Sequence, residues 1–287
     1  SAAVSPNGRY VAYTKVMQRN PLEDENGSAW VELHVTDAAG KSRPFITGKV
    51  NVSGVQWTPN GTGIAFTAKR DGDEHTSLYV IPIDGGEARR VIAHEASLYA
   101  VTFSRDGKQV AFLAGETRPK EEDEWRGKGF NQEIYEEDWR PTKVWLATAD
   151  GSGKPRALDL DGSAHAVRFS PSGNELAVVL APTPSVDDSY MFKRIKIVDT
   201  ASGRVVEPID NPGKLGQIDF SPDGKHLAMI SGADIHDPRE GRLMVSTIPG
   251  DGKFRDLMPK YQAHVSSFKW KDDTTLVWIA GEGCQAT

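Results

Sequence analysis

The sequence predicts an all-β protein, a β-propeller of four-stranded antiparallel blades, on three observations. A turn-centred motif recurs six times, five of the copies are followed by a second strand pair, and the strand after the turn is in places apolar throughout. The motif is clearest at Ile218–Ile230, IDFSPDGKHLAMI, where Ile218 and Phe220 alternate with Gln217 and Asp219 at the period of a strand. Ser221-Pro222-Asp223-Gly224 then supplies a proline with fixed φ, an aspartate that can bond its own backbone and a glycine free to take positive φ, which is turn chemistry. The apolar run Leu227–Ile230 that follows is the pattern of a strand covered on both faces.

The other copies begin at Ala3 (AVSPNGRYVAYT), Val55 (VQWTPNGTGIAFT), Val101 (VTFSRDGKQVAFL), Val167 (VRFSPSGNELAVV) and Phe268 (FKWKDDTTLVWI). The third turn residues, Asn7, Asn60, Asp106, Ser172, Asp223 and Asp272, are separated by 53, 46, 66, 51 and 49 residues. A period of that length means one supersecondary unit per repeat, and a four-stranded unit at such spacing must stack on its neighbours to bury both faces. The expected blades cover 1–48, 49–94, 95–161, 162–211, 212–262 and a partial 263–287, all within one domain.

Blade one has room for only four residues before its turn, and PLEDENGS (Pro21 to Ser28) reads as a polar loop between its second and third strands. Blade two is the most regular, with Asp84-Gly85-Gly86 as a tight hairpin turn. Blade three is interrupted by an insertion, 116–141, which accounts for the longest separation. Its acidic residues make it polar, and Trp125, Phe130, Tyr135 and Trp139 give it groups with which to dock; loops this long are uncommon unless functional or disordered. Blade four carries the loop APTPSVDDSYM (Ala181 to Met191), blade five the loop ADIHDPREG (Ala233 to Gly241), and blade six only a first hairpin. Five near-complete blades and a sixth half blade read as part of a longer chain and of a seven-bladed ring.

A net charge of −6 and the lack of any basic cluster beyond pairs such as Lys193-Arg194 argue against a nucleic-acid partner. No stretch of about 18 apolar residues is present and SAAVSPNG lacks the features of a signal peptide, so the sequence predicts no membrane association. Cys284 is the lone cysteine and reads as a small packed hydrophobe, which leaves cytoplasm and periplasm both open.

The pattern F-S-P-D-G-x-x-L-A, with SLYVIPIDGGE after it in the second blade, resembles the repeat of TolB-type propellers and of the N-terminal propeller of the prolyl oligopeptidase family of serine peptidases. The insertion EEDEWRGKGFNQEIYEEDWRPTKVWL resembles one in acylaminoacyl-peptidase-like members. The resemblance implies a non-catalytic propeller that gates access of short peptides to an α/β-hydrolase catalytic domain of the same parent chain. The alternative is a stand-alone TolB-like module that binds another protein.

The residues carry no catalytic set of their own. A nucleophile elbow needs G-x-S-x-G, and Gly27-Ser28-Ala29, Gly151-Ser152-Gly153 and Gly162-Ser163-Ala164 all lack the second glycine. No histidines form a pair at metal-ligand spacing, so neither a metal nor a cofactor is expected. The candidate binding residues are therefore of two kinds. By the resemblance, Glu136, Glu137 or Asp138, with Trp139 beside them, could hold a substrate's amino terminus, for which paired carboxylates are a sound device; the bland reading is a solvated acidic loop pinned to the blade by its tryptophans. His165 and His264 each lie four residues before an aromatic of a first strand, Phe169 and Phe268, and are expected at one level near the channel mouth. The first strands otherwise offer a mixed set, Gln56, Thr102, Arg168, Asp219 and Lys269, unsuited to a channel enzyme.

Overall fold

The computed structural model describes every residue except Asp71, Tyr135, Asp138, 238–240, Cys284 and Thr287. The expectations placed on Tyr135, Asp138 and Cys284 therefore lie outside the described residues. The chain divides into two compact units, Ser1–Ala114 with Trp145–Arg156, and Gly115–Val144 with Ala157–Thr287.

Its strands form antiparallel sheets in chain order. The first sheet holds β1 (Ala2–Val4), β2 (Tyr10–Met17), β3 (Trp30–Asp37) and β4 (Ser42–Ile46), and the second β5 (Ser53–Trp57), β6 (Gly63–Ala68), β7 (Ser77–Pro82) and β8 (Arg89–Ile92). The third holds β9 (Leu98–Phe103), β10 (Gln109–Gly115) and, after the helix α1 (Lys120–Gly127), β11 (Thr142–Thr148) and β12 (Arg156–Ala157). The fourth holds β13 (Ser163–Phe169), β14 (Glu175–Ala181) and, after the helix α2 (Val186–Met191), β15 (Arg194–Asp199) and β16 (Val205–Ile209). The fifth holds β17 (Leu215–Phe220), β18 (His226–Ser231), β19 (Arg242–Thr247) and β20 (Phe254–Asp256). In the sixth, β21 (His264–Trp270) and β22 (Leu276–Glu282) are joined by the two-residue β23 (Gln285–Ala286), so this sheet has three strands where the sequence predicted a bare hairpin.

Two stretches read as loops contain helix. The insertion folds one face of its acidic run into α1, and Ala181–Met191 contains α2. At α2 the serine of SVDD is an N-cap: the Asp188 backbone N–H donates to Ser185 Oγ, and the Thr183 hydroxyl donates to the Asp188 carboxylate at 2.6 Å. The prolines and aspartates that mark a loop also start a helix.

The recurring turn works as a small hydrogen-bonded device. In the fifth sheet Ser221 Oγ donates to Asp223 Oδ1 at 2.7 Å and accepts the His226 N–H at 2.9 Å, while Asp223 Oδ1 also accepts the Lys225 N–H. Ser5 with Asn7, Thr58 with Asn60, and Ser104 with Asp106 repeat the arrangement. The serines are buried, with Ser221 fully so. The same turns also pack sheet on sheet. A Cβ on Gly61 would stand 3.5 Å from the Pro6 ring, one on Gly107 3.8 Å from Pro59 and one on Gly224 3.3 Å from Pro171. In these three turns the glycine, held at positive φ, thus seats the turn proline of the preceding sheet.

Behind the turns, the second strands β6, β10, β14 and β18 are buried on both faces. Ile64, Phe66 and Ala68 of β6 join the first sheet's core, whereas Ala65 joins Val110, Phe112 and Ala114 of β10. In the second unit Leu227 and Met229 of β18 pack with Ile195, Ile197 and Ala177, and Ala228 and Ile230 pack with Val265 and Phe268. The strand β22 is covered on one side only: Leu276 and Ala280 face the fifth sheet's cluster, while Val277 and Ile279 are 55% and 54% exposed.

First strands of neighbouring sheets are tied by side chains that reach a backbone group across the gap. Trp57 Nε1 donates to Ala3 O at 2.8 Å, and Trp270 Nε1, at the same place in its motif, donates to Asp219 O at 3.2 Å. Gln56 reaches Val101 O at 3.0 Å, and Gln217 both donates to Phe268 O and accepts the Phe268 N–H.

Each of the five first strands from β5 onward also carries a register shift, at Gly54–Val55, Ala100–Val101, His165, Gly216–Gln217 and Ser266. Gly54 and Ala100 take positive φ there. A bulge of this kind bends the strand and turns an extra side chain out of the alternation.

Two outcomes test this architecture. Met229→Ala and Ile230→Ala, although adjacent, should each cost about 2–5 kcal/mol in urea unfolding, because both faces of β18 are core; a near-neutral value for either would show a one-faced strand. Ser221→Ala should cost about 1–3 kcal/mol by leaving the His226 N–H buried without its acceptor. Hydrogen bonds from Ser221 and then Lys225 hold the Asp223 carboxyl below its ordinary range, so its contribution is present above the unfolded value and lost as pH falls through the folded one. Asp223→Asn, which keeps the Oδ1 acceptor as Asn7 and Asn60 do, should make stability less sensitive to acid below about pH 4.

Candidate functional site

The edge of the second unit that bears the loops between second and third strands gathers the candidate residues. The insertion returns to the sheets beside the start of β13, where the Thr142 N–H donates to the buried Ser163 Oγ at 3.2 Å. Ser163 pairs with Ala181, from which the α2 loop departs. A Cβ on Gly162 would stand 2.3 Å from Ala181 O, and one on Gly213 2.4 Å from Asp234 O, so only glycine lets these strand starts pass the loops that close.

The insertion is held together by charge. Glu122 in α1 takes Arg140, Arg126 at 3.3 Å and Arg118 at 3.5 Å, and Arg126 also takes Glu133 at 2.7 Å. Desolvation acts to raise the Glu122 pKa, but the bonds from Arg140 and Arg126 outweigh it and hold the carboxyl below its usual range. Lys143 and Glu116 pair at 2.7 Å across the two ends of the insertion. The acidic run is thus partly neutralised within itself, which a count of carboxylates along the sequence does not show.

Glu136 and Glu137 stay outside that network and are exposed, with Glu136 at a φ of 63°, unusual for a residue with a side chain. Trp125 and Trp139 are 57% and 44% exposed, and Phe130 and Ile134 are exposed with them. The insertion therefore presents Glu136 and Glu137, together with Glu121, Asp123 and Glu124 of α1, and four large apolar side chains to solvent.

The two histidines are not at one level. His165 is the extra residue of the bulge in β13, and its counterpart in β21 is Ser266, so His264 lies two residues further from the turn. Four residues were counted to Phe268, whereas the aromatic equivalent to Phe169 is Trp270, each pairing with the leucine that opens the next strand. Although much of His165 is exposed, loss of solvent around the imidazole, and then the charge of Lys193, hold its pKa below the ordinary value. His264 is half-buried against Gly241, where a Cβ would stand 2.3 Å from its Nδ1.

The sequence reading missed a cleft of about 680 Å³ beside His264, walled by Gly241 and Arg242 at the start of β19 and by the connection Pro259–Ala263. Its signal is a glycine at the end of a loop facing a histidine, which only the close approach makes meaningful. No group of three or more histidine, cysteine or acidic residues suited to a metal occurs among the described residues.

No family model matches the chain. Over 225 residues, 78% of its length, it is 26% identical to the uncharacterized peptidase YuxL of Bacillus subtilis (strain 168), of which it spans only 28%. Among solved structures it is similar to TolB from Acinetobacter baumannii (TM-score 0.60, 18% identity, 96% of this chain and 59% of that one). It is also similar to the acylaminoacyl peptidase of Pyrococcus horikoshii (TM-score 0.68, 12% identity, 98% of this chain and 42% of that one). The β-propeller domain of the trilobed protease from Pyrococcus furiosus matches with TM-score 0.61, 14% identity, and 99% and 77% coverage. At these identities the solved structures show the fold, and the sheets described above are of β-propeller type.

Lys193→Ala should raise the His165 midpoint followed by NMR, since one of the two causes that lower it is removed. A midpoint that stays in place or falls would show that Lys193 does not act on the ring.

Proposed function

We propose that this chain is the propeller part of a prolyl oligopeptidase-family serine peptidase, gating the approach of short peptides to an α/β-hydrolase domain elsewhere in the parent chain and helping to bind them. The observation that carries this reading is the insertion, which exposes Trp125, Phe130, Ile134 and Trp139 around Glu136 and Glu137. Large apolar side chains left in solvent on a scaffold-borne loop mark a surface that meets another body. The 26% identity to a protein named as a peptidase supports it, as does a chain that spans little more than a quarter of that protein. In this reading the tryptophans, Trp139 among them, dock and the two glutamates meet the substrate's ammonium group. His165 and His264 face the path of the peptide without doing chemistry on it, and no metal or cofactor is called for.

A second reading, a TolB-like module whose loops bind another protein, is supported by the likeness to TolB over 96% of the chain. The sequence encoded after Thr287 separates the two, since only the first requires a G-x-S-x-G elbow downstream.

Because the chain lacks a nucleophile elbow, the purified protein should not hydrolyse aminoacyl or acyl-aminoacyl p-nitroanilides. Deleting Lys120–Arg140 with a short glycine linker should leave the propeller folded and abolish either the activity or the amino-terminal preference of the longer protein. Turnover by this chain alone, or a deletion protein with unchanged rate and preference, would overturn the proposal.

A further inference from the structure

We infer that Asn26 is a site of spontaneous covalent modification, deamidating through a succinimide closed by the backbone nitrogen of Gly27, and that the fold confines this chemistry to one of the chain's Asn-Gly pairs. The inference is independent of the function proposed above. The chain has three such pairs, Asn7-Gly8, Asn26-Gly27 and Asn60-Gly61. A glycine puts no side chain in the way of its own nitrogen, so the pair reacts wherever the backbone can bring that nitrogen to the asparagine side chain. Exposure does not separate the three, since each asparagine is exposed. Hydrogen bonding does.

Two of the pairs sit in the recurring turn. Asn7 Oδ1 accepts the Ser5 hydroxyl at 2.8 Å and the Arg9 N–H at 3.0 Å, and the Gly8 N–H donates to Ser5 O at 2.9 Å. Asn60 Oδ1 accepts the Thr58 hydroxyl at 2.8 Å and the Thr62 N–H at 3.1 Å, and the Gly61 N–H donates to Thr58 O at 2.8 Å. In both, the side chain is held by its oxygen and the attacking nitrogen is engaged, so the turn must open before the reaction can start.

Asn26 lies in the loop between β2 and β3, whose first half is tied: the Asp24 N–H donates to Asn20 O at 2.8 Å and the Asn20 N–H to Asp24 Oδ2 at 2.9 Å. Among the described residues neither the Asn26 side chain nor the Gly27 N–H has a hydrogen-bond partner. Arg19 grips the loop on either side of the pair, with Nη1 donating to Glu25 O at 2.8 Å and Nε to Ser28 O at 2.7 Å, and its guanidinium is itself seated 3.8 Å from the centre of the Trp30 ring. A Cβ on Gly27 would stand 2.7 Å from Arg19 Nη2. A positive charge is thus fixed beside Gly27, where it favours the negative charge that develops as the attacking nitrogen loses its proton.

In the reaction the Gly27 nitrogen bonds to Asn26 Cγ and gives up its proton, the Cγ–Nδ2 bond breaks, and the amide leaves as ammonia with that proton returned through solvent. Water then opens the ring, at the side-chain carbonyl to give aspartate or at the backbone carbonyl to give isoaspartate. The sum is asparagine amide plus water to carboxylic acid plus ammonia, with no oxidant or reductant. Either product ionises to add a negative charge beside Glu25, and isoaspartate also lengthens the main chain between the two carbonyls that hold Arg19.

The test incubates the chain in mildly alkaline buffer, once folded and once unfolded in guanidinium chloride, and locates the modification by the fragment masses of its digest. In the folded chain the peptide holding Asn26 should gain the mass of deamidation about tenfold or more faster than those holding Asn7 and Asn60, and in denaturant the three rates should converge. Asn26→Gln, whose longer side chain closes the ring far more slowly, should remove the main acidic species that ion exchange resolves from the aged folded protein, with its melting curve unchanged. No gain of mass at Asn26, equal rates at the three sites in the folded chain, the same ratio of rates in denaturant as in the folded chain, or an acidic species that survives Asn26→Gln would overturn the inference.

Discussion

The constraint on which this structure depends is that the second strands of its four middle sheets, β6, β10, β14 and β18, must be covered on both faces, and a single sheet cannot do that. The run Leu227–Ile230 is apolar at every position because Leu227 and Met229 belong to the fourth sheet's side and Ala228 and Ile230 to the sixth's. A fully buried aliphatic side chain contributes roughly 1.5–3 kcal/mol, so a sheet separated from its neighbours would lose the larger part of its core. Stability is therefore a property of stacked pairs, and the repeat is the smallest sequence unit that can be stacked.

Stacking alone does not fix the angle and height at which one sheet meets the next. Two sets of directional contacts do. At the turn end, the proline of one motif lies against the glycine of the following one, as at Pro6 with Gly61 and Pro171 with Gly224. Along the first strands, an indole or an amide reaches a backbone carbonyl of the neighbour, as Trp57 does to Ala3 and Trp270 to Asp219. The residues that make the turn locally are thus the residues that set the spacing between sheets, and the buried serine hydroxyl joins the two roles by holding the hairpin closed.

The opposite end of the sheets carries the long loops. The loops between second and third strands meet the neighbouring strand starts only at their ends, as Ala181 and Asp234 do at Gly162 and Gly213. The insertion, the α2 loop and the β18–β19 connection can vary in length and charge, and rigid supports with variable loops are where binding residues concentrate. The internal pairing of Glu122 with three arginines shows how an acidic insertion keeps its form while Glu136, Glu137 and the aromatics stay at the surface.

The fold was legible in the sequence because it rests on local chemistry repeated at a fixed period: Ser-Pro-Asp-Gly at the turns, alternation in Ile218–Phe220, continuity in Leu227–Ile230. The same local reading located the loops, though not that SVDD starts a helix, since capping chemistry and turn chemistry use the same residues. What tertiary structure alone decided was register and company. A bulge in a first strand leaves no dependable mark in sequence, as His165 and Ser266 occupy it as readily as Gly54, and it moved His264 out of line with His165. Whether a carboxylate is free or consumed, as Glu136 and Glu122 differ, and whether a histidine meets a glycine from another strand, as His264 meets Gly241, depends on contacts between residues far apart in the chain, which no periodicity encodes.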